Sequence, residues 1–181
     1  GKLNRSKGYD LFGKAIIKIL DKYKSWSSIV IGDEPRDMLD FNHKKLKKLG
    51  FKKHDEVLNI YKNTSIAVVC SRWEEPFGRT SLEASSSGCA VIISNRGGLP
   101  ETITNGVILK KLNYINVFKE IEKLITNSKK RKELQNLSLK NFYLTHSLVS
   151  KLIDNVRDEK LLINKKINLK KIKKSLRILH V

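Results

Sequence analysis

Cysteine is scarce. Only Cys70 and Cys89 are present, both at or near the ends of predicted buried strands. Their spacing suits neither a disulfide framework nor a metal site, so they read as small buried hydrophobes in a reducing compartment. No run of about 18 apolar residues occurs, which excludes a helical membrane span. Aromatic residues make up 7% of the chain and are not interleaved with its basic residues. That argues against a single-strand nucleic-acid groove, which needs stacking platforms. No internal repeat and no long Gly/Ser- or Pro-rich linker is visible. Acid is also short, with 18 Asp and Glu against 37 Lys and Arg, a formal charge of +19. Such an excess suits nucleic acid or an anionic membrane surface. Part of it is compositional, because Lys, Ile and Asn are abundant throughout.

What is present is ordered. The 181 residues make one domain, or one with an appendage. Leu11, Phe12, Ala15, Ile16, Ile19 and Leu20 have helical spacing between Gly8 and about Lys24. Ser28–Asp33 reads as a buried strand ending in a turn. A short strand closing at Gly50-Phe51 follows, then a helix from His54 to Asn63. Ser65–Cys70 and Cys89–Ser94 are continuous apolar strands, with a helix from Arg79 to Ser87 between them, stopped by Gly88. Val107–Leu109 is a short strand. Helices are predicted over 114–127, from Lys129 to about Tyr143, and from Ser147 to about Asp158. Continuous apolar strands alternating with helices mean a parallel sheet covered on both faces, with ligands at the C-terminal ends of its strands. The 160–181 tail holds eight Lys or Arg, no acid, and leucines and isoleucines at roughly helical spacing. It is expected to be a basic helix.

The chemistry concentrates in Glu75-Pro76-Phe77-Gly78-Arg79-Thr80-Ser81-Leu82-Glu83. Two carboxylates flank a Pro-Phe-Gly turn that opens a helix of small residues. The first N–H groups of a helix lack intrahelical partners and carry the positive end of its dipole, so they attract anions. A carboxylate beside such a site suits a ligand that also carries hydroxyls, since a carboxylate only accepts hydrogen bonds. Phosphate together with a sugar diol points to a nucleotide sugar. A glycosidase carboxylate pair would face one bond from two sides about 5–10 Å apart, which a loop residue and a helix residue in this order do not suit.

Glu75-Pro76-Phe77-Gly78 with Glu83 resembles the E-x7-E motif of family 4 retaining glycosyltransferases of the GT-B fold. Three further segments resemble that family in its order. They are Gly1-Lys2-Leu3 through Lys7-Gly8, then Ile31-Gly32-Asp33, then Gly97-Gly98-Leu99-Pro100-Glu101. The likeness covers about residues 1–130 and implies the C-terminal, donor-binding, Rossmann-like half of a GT-B enzyme, with C-terminal helices added. Domains are expected at 1–145, the donor-binding domain, and 146–181, a basic helical extension. Gly1 falls inside the first motif, so the sequence is expected to be a piece of something longer, inactive without an N-terminal acceptor-binding domain.

The resemblance implies that Glu83 binds ribose hydroxyls and Glu75 binds hydroxyls of the transferred sugar. The N–H groups of Phe77, Gly78, Arg79 and Thr80 would face the diphosphate or sugar, and Gly32 would form the glycine turn of the donor site. Lys7 would neutralise the diphosphate. Lys2 stands where the family usually has Arg, which alone can make a bidentate fork to phosphate. Either Lys2 or Arg5 fills that role. The implied reaction transfers sugar from a nucleoside diphosphate to a saccharide or lipid-linked acceptor, with retention and no protein nucleophile. It needs no metal or other cofactor, and its setting would be polysaccharide or lipopolysaccharide synthesis. The implied location is cytoplasmic, peripheral at the inner face of the cell membrane, without a specific nucleic-acid partner. The alternative is a non-catalytic nucleotide- or polyanion-binding module whose basic tail associates with membrane or nucleic acid. His54 reads as a helix cap or surface residue, with a place near a nucleobase as the functional alternative. Arg72 and Trp73 precede the motif; Trp73 reads as packing, and contact at the substrate edge is the lesser reading for Arg72.

Overall fold

The computed structural model describes residues 1–171. Its elements run α1 (Tyr9–Lys22), β1 (Ser28–Val30), β2 (Leu46–Lys48), α2 (His54–Lys62), β3 (Ile66–Val69), α3 (Arg79–Ser86), β4 (Ala90–Ser94), a short 3-10 helix (Leu99–Thr102), β5 (Val107–Leu109), α4 (Tyr114–Thr126), α5 (Ser128–Lys140) and α6 (His146–Lys171). This is the expected α/β, Rossmann-like architecture. Every strand pair is parallel, with Ser28 opposite Leu46, Ile66 opposite Ala90 and Ile92 opposite Val107.

The expected single sheet is instead two, β1-β2 and β3-β4-β5. No ladder joins β1 to β3. They are linked at their C-terminal ends by the segment before α1. Lys2 bridges Asp33 in parallel, and the Ser6 carbonyl accepts the Arg72 N–H at 2.8 Å. A second correction concerns the strand expected at Gly50-Phe51. Pairing occurs earlier, at Leu46–Lys48, and ends where the Gly32 N–H meets the Gly50 carbonyl. Phe51 then lies beyond the ladder and is 77% exposed.

Apolar alternation along β4 creates two cores, because successive side chains of a strand point to opposite faces. Ala90 and Ile92 pack with Leu11, Ile19 and Leu20 of α1 and with Val117, Ile121 and Leu124 of α4. Val91 and Ile93 pack with Ala67, Ala84, Cys89 and Leu99. All five β4 residues are buried, which is why the strand reads as an unbroken apolar run. Helix α4 starts where the Asn113 side chain accepts the Asn116 N–H at 2.9 Å, a capping contact.

The chain divides into two units, Gly1–Phe142 and a second that begins at Tyr143. In the second, the helix predicted to stop near Asp158 continues to Lys171, so residues 160–171 of the basic tail are helical. The rest of the tail, 172–181, lies outside the described residues. Val149, Leu152, Ile153 and Val156 recur at helical spacing on α6 and are exposed. Among the described residues no helix is long and apolar enough to cross a membrane.

Ile93 is fully buried, whereas Ile108 on β5 is 45% exposed. Ile93→Ala should therefore cost about 2–5 kcal/mol of stability through lost burial and the cavity left behind. Ile108→Ala should cost clearly less. Denaturant unfolding of both variants checks this, and equal losses would contradict the two-core arrangement.

Candidate functional site

Parallel strands send the chain to one edge each time, where the loops after β1 and β3 meet the segment before α1 and the loop after β4 meets the loop after β3. In that segment the Lys7 N–H is held by Asn4 Oδ1 at 2.9 Å, and Lys7 Nζ lies 2.6 Å from Glu75 Oε1. Both side chains are partly shielded. The residues read as a diphosphate cation and a sugar acceptor thus face each other directly.

Glu75 is held from the far side as well. Its carbonyl accepts the Gly98 N–H at 2.7 Å. Neighbouring Glu74 accepts the Gly97 N–H at 2.6 Å and the Arg96 guanidinium at 2.9 Å. Gly97 has φ +51, and a Cβ there would fall 2.3 Å from the Glu75 carbonyl oxygen. Only glycine permits that backbone and that approach. The Gly-Gly-x-Pro-Glu segment therefore supports the glutamate loop from below. Nothing in the sequence pattern assigns a role to Glu74. Its only signal was adjacency to Glu75.

Gly78 precedes α3 and its carbonyl accepts from Ser81 and Leu82 N–H and from Ser81 Oγ, the last at 2.7 Å. Ser81 Oγ also meets Thr102 Oγ1 at 2.6 Å, tying the start of α3 to the 3-10 helix. Among the described residues the Arg79 and Thr80 N–H groups find no acceptor, and no side chain caps the helix. They are open to a ligand, as the first turn of a helix allows. Phe77, just before the turn, is 43% exposed. One turn into α3, Glu83 Oε1 lies 3.4 Å from Arg79 and 3.6 Å from His54. These contacts are long for hydrogen bonds, so Glu83 keeps acceptor capacity. His54 opens α2 with Lys53 as its cap. It stands beside Glu83 and is not itself the cap.

The two candidates for the family's arginine differ. Arg5 is occupied: its N–H and guanidinium both donate to Asp37, at 2.9 and 3.0 Å. Lys2 is exposed, held through its backbone bridge to Asp33, and makes no ion pair among the described residues. Gly32 lies against the Gly1 backbone. Nearby, Asn4, Ser6, Glu34, Arg36 and Asp37 line an open depression of about 270 Å³. There the Arg36 guanidinium holds the Glu34 carboxyl down to about 2. Arg72 clasps Asp10 at 2.6 and 2.8 Å and keeps that carboxyl below its usual range. The sequence did not pair these residues, whose positions are 62 apart. Burial pushes both cysteine thiols up to about 12, so neither is a nucleophile at neutral pH. Together the site offers cations, open N–H groups and acceptor-only carboxylates, a set suited to an anion bearing hydroxyls.

Comparison with known proteins bears on this set. A family model described as "Glycosyl transferases group 1" matches residues 1–140. Spore coat protein SA of Bacillus subtilis is 29% identical over 155 residues, covering 76% of this chain and 41% of that protein. The lipopolysaccharide core biosynthesis mannosyltransferase LpcC of Rhizobium leguminosarum is 31% identical over 116 residues, covering 59% and 33%. The chain thus spans about two fifths or less of these relatives. Among solved structures, the C-terminal domain of a glycosyl transferase group 1 family protein (LpcC) from Francisella tularensis superposes with a TM-score of 0.68 at 30% identity, covering 77% of this chain and 80% of that one. Anabaena HepE, solved with UDP-glucose, gives 0.69 at 18% identity, covering 87% and 47%, and shares the fold.

Gly97→Ala should destabilise the protein by about 1 kcal/mol or more, because alanine is forced into a left-handed conformation and against the Glu75 peptide. Gly106→Ala, at a glycine outside this loop, should leave the amide resonances of Glu74 and Glu75 in place. Thermal melts and amide spectra of both variants test this. A wild-type melt and unmoved Glu74 and Glu75 resonances in Gly97→Ala would contradict the supporting role.

Proposed function

The chain belongs to the glycosyl transferases group 1 family, and on that footing we propose that residues 1–145 bind a nucleoside-diphosphate sugar for a family 4 retaining glycosyltransferase. The observation that carries this reading is the juxtaposition around α3. The open N–H groups of Arg79 and Thr80 start α3, flanked along the chain by Glu83 one turn on and by Glu75, which pairs with Lys7.

Glu83 accepts from the ribose hydroxyls, and the diphosphate lies over the Arg79 and Thr80 N–H groups. Ligand entry breaks the Lys7–Glu75 pair. Lys7 turns to phosphate oxygen and Glu75 accepts from hydroxyls of the sugar. Lys2 is the second cation, since Arg5 is occupied by Asp37. As the glycosidic bond to phosphate breaks, negative charge grows on the leaving diphosphate. Fixed N–H dipoles and lysines placed there stabilise that charge more than they stabilise the ground state. No protein carboxylate attacks the sugar, so Glu75 binds and orients. The leaving phosphate takes the acceptor's proton on the face it vacates, which retains configuration. No metal is required because lysines and N–H groups supply the charge. The acceptor is a saccharide or lipid-linked saccharide of cell-surface synthesis, held by another domain across a cleft. The exposed apolar residues on α6 fit a cytoplasmic protein docked on the inner membrane face.

Glu83→Ala should weaken UDP or UDP-glucose binding roughly ten- to hundredfold, since hydrogen bonds to a charged group contribute about 1.5–3 kcal/mol. Glu75→Gln should spare UDP and harm UDP-glucose. Titration calorimetry with UDP-, GDP- and ADP-sugars and their bare nucleotides measures both effects. If no nucleotide or nucleotide sugar bound, the reading would fail. Equal losses for sugar-bearing and bare ligands would remove Glu75 from the sugar.

The chain alone should bind donor and hydrolyse it slowly at most. Positioning of a second reactant supplies up to roughly 7–11 kcal/mol of barrier reduction, and that reactant's site lies elsewhere. A transfer assay of this chain beside a full-length relative tests the point, and efficient transfer by the chain alone would place the acceptor site here.

A further inference from the structure

Arg72 stands outside the chemistry just described, yet it has a dense set of partners in unit Gly1–Phe142. Its guanidinium donates to both Asp10 carboxylate oxygens, at 2.6 and 2.8 Å, and to the Arg5 carbonyl at 2.5 Å. Its own N–H donates to the Ser6 carbonyl at 2.8 Å, which also accepts from Ser71 Oγ and the Trp73 N–H. The two residues that frame Lys7 are thus both bonded to the end of β3, Ser6 through its carbonyl and Gly8 through its carbonyl to the Cys70 thiol at 3.3 Å. Gly8 has φ +74, and a Cβ there would fall 1.9 Å from the Cys70 carbonyl oxygen. The Lys7 loop is pressed onto the strand end, and a bidentate arginine clamps it from outside. Arg72 and Asp10 are separated by 62 positions, so their contact exists only in the folded unit.

We propose that Arg72 is a positioning residue that acts through Asp10 and the Arg5 carbonyl to hold the Asn4–Gly8 loop, and with it Lys7, where Lys7 meets the donor diphosphate. This rests on the reading of Lys7 given above. The planar fork matters here, since it spans Asp10 and a backbone carbonyl at once, and lysine offers only a point charge. The depressed Asp10 carboxyl stays ionised through the neutral range and keeps the clamp closed.

The test is a double-mutant cycle read as UDP affinity by calorimetry on this chain, with Lys7→Ala, Arg72→Met, their combination, Arg72→Lys and Asp10→Asn. If Arg72 works by placing Lys7, the loss caused by Lys7→Ala should be smaller in the Arg72→Met background by about threefold or more, the coupling expected of residues in one network. Asp10→Asn gives opposed signs. Removing a negative charge near a phosphate should tighten binding on charge alone, whereas opening the clamp should weaken it. We expect weaker binding from Asp10→Asn and incomplete rescue by Arg72→Lys, despite the conserved charge. Additive losses, tighter binding by Asp10→Asn, or full rescue by lysine would overturn the proposal. A Lys7→Ala chain that binds UDP as wild type does would overturn the Lys7 reading on which it rests. Should Arg72→Met fail to give a cooperative melt, Arg72→Lys and Asp10→Asn carry the same cycle.

Discussion

Parallel pairing of β3, β4 and β5 is the constraint on which the site depends. It returns the chain to one edge after every strand, so Glu75, Gly97 and the start of α3 arrive together however far apart they lie in sequence. The segment before α1 completes that edge. It bonds to Asp33 beyond β1 and to Arg72 beyond β3, in place of a ladder between the two sheets. The packing follows from the same pairing. β4 is buried on both faces because helices cover each side of a parallel sheet, and its alternating residues feed two separate cores.

Electrostatics at the site is self-satisfied in part. Lys7 and Glu75 pair with each other, and Glu83 stands between Arg79 and His54. A ligand must exchange these contacts for its own, so only a ligand offering both an anion and hydroxyls replaces both halves of the Lys7–Glu75 pair. This argues for a nucleotide sugar over inorganic phosphate or a general polyanion, which would leave the carboxylates without donors. The backbone around the pair is fixed by uncharged contacts, Gly98 to the Glu75 carbonyl and Asn4 to the Lys7 N–H. The exchange can therefore happen in the side chains alone.

The element order was legible because the signals were local. Apolar runs at 66–69 and 90–94, Gly88 after α3 and the Glu75–Glu83 spacing each report on a few neighbouring residues. The reading failed where pairing at a distance decides. β2 sits at Leu46–Lys48 because it registers with Ser28–Val30, a partner that its lysine-rich sequence does not announce. The split of the sheet depends on the path of Gly1–Ser6 between two strand ends. The Arg72–Asp10 clamp and the Glu74–Gly97 contact join residues 62 and 23 positions apart, and no spacing rule reaches so far. The sequence predicts an end to this helix near Asp158, while α6 runs through Asp158-Glu159-Lys160 without a break.

The most direct measurement is the amide spectrum of the isotope-labelled chain titrated with UDP. The account predicts that the resonances of Asn4–Gly8, Phe77–Thr80 and Glu83 move together on one binding curve, and that those of Lys44–Lys53 and α5 stay still. Movement spread over the lysine-rich surfaces, with Phe77–Thr80 unmoved, would show a polyanion binder without a nucleotide site and would contradict the account.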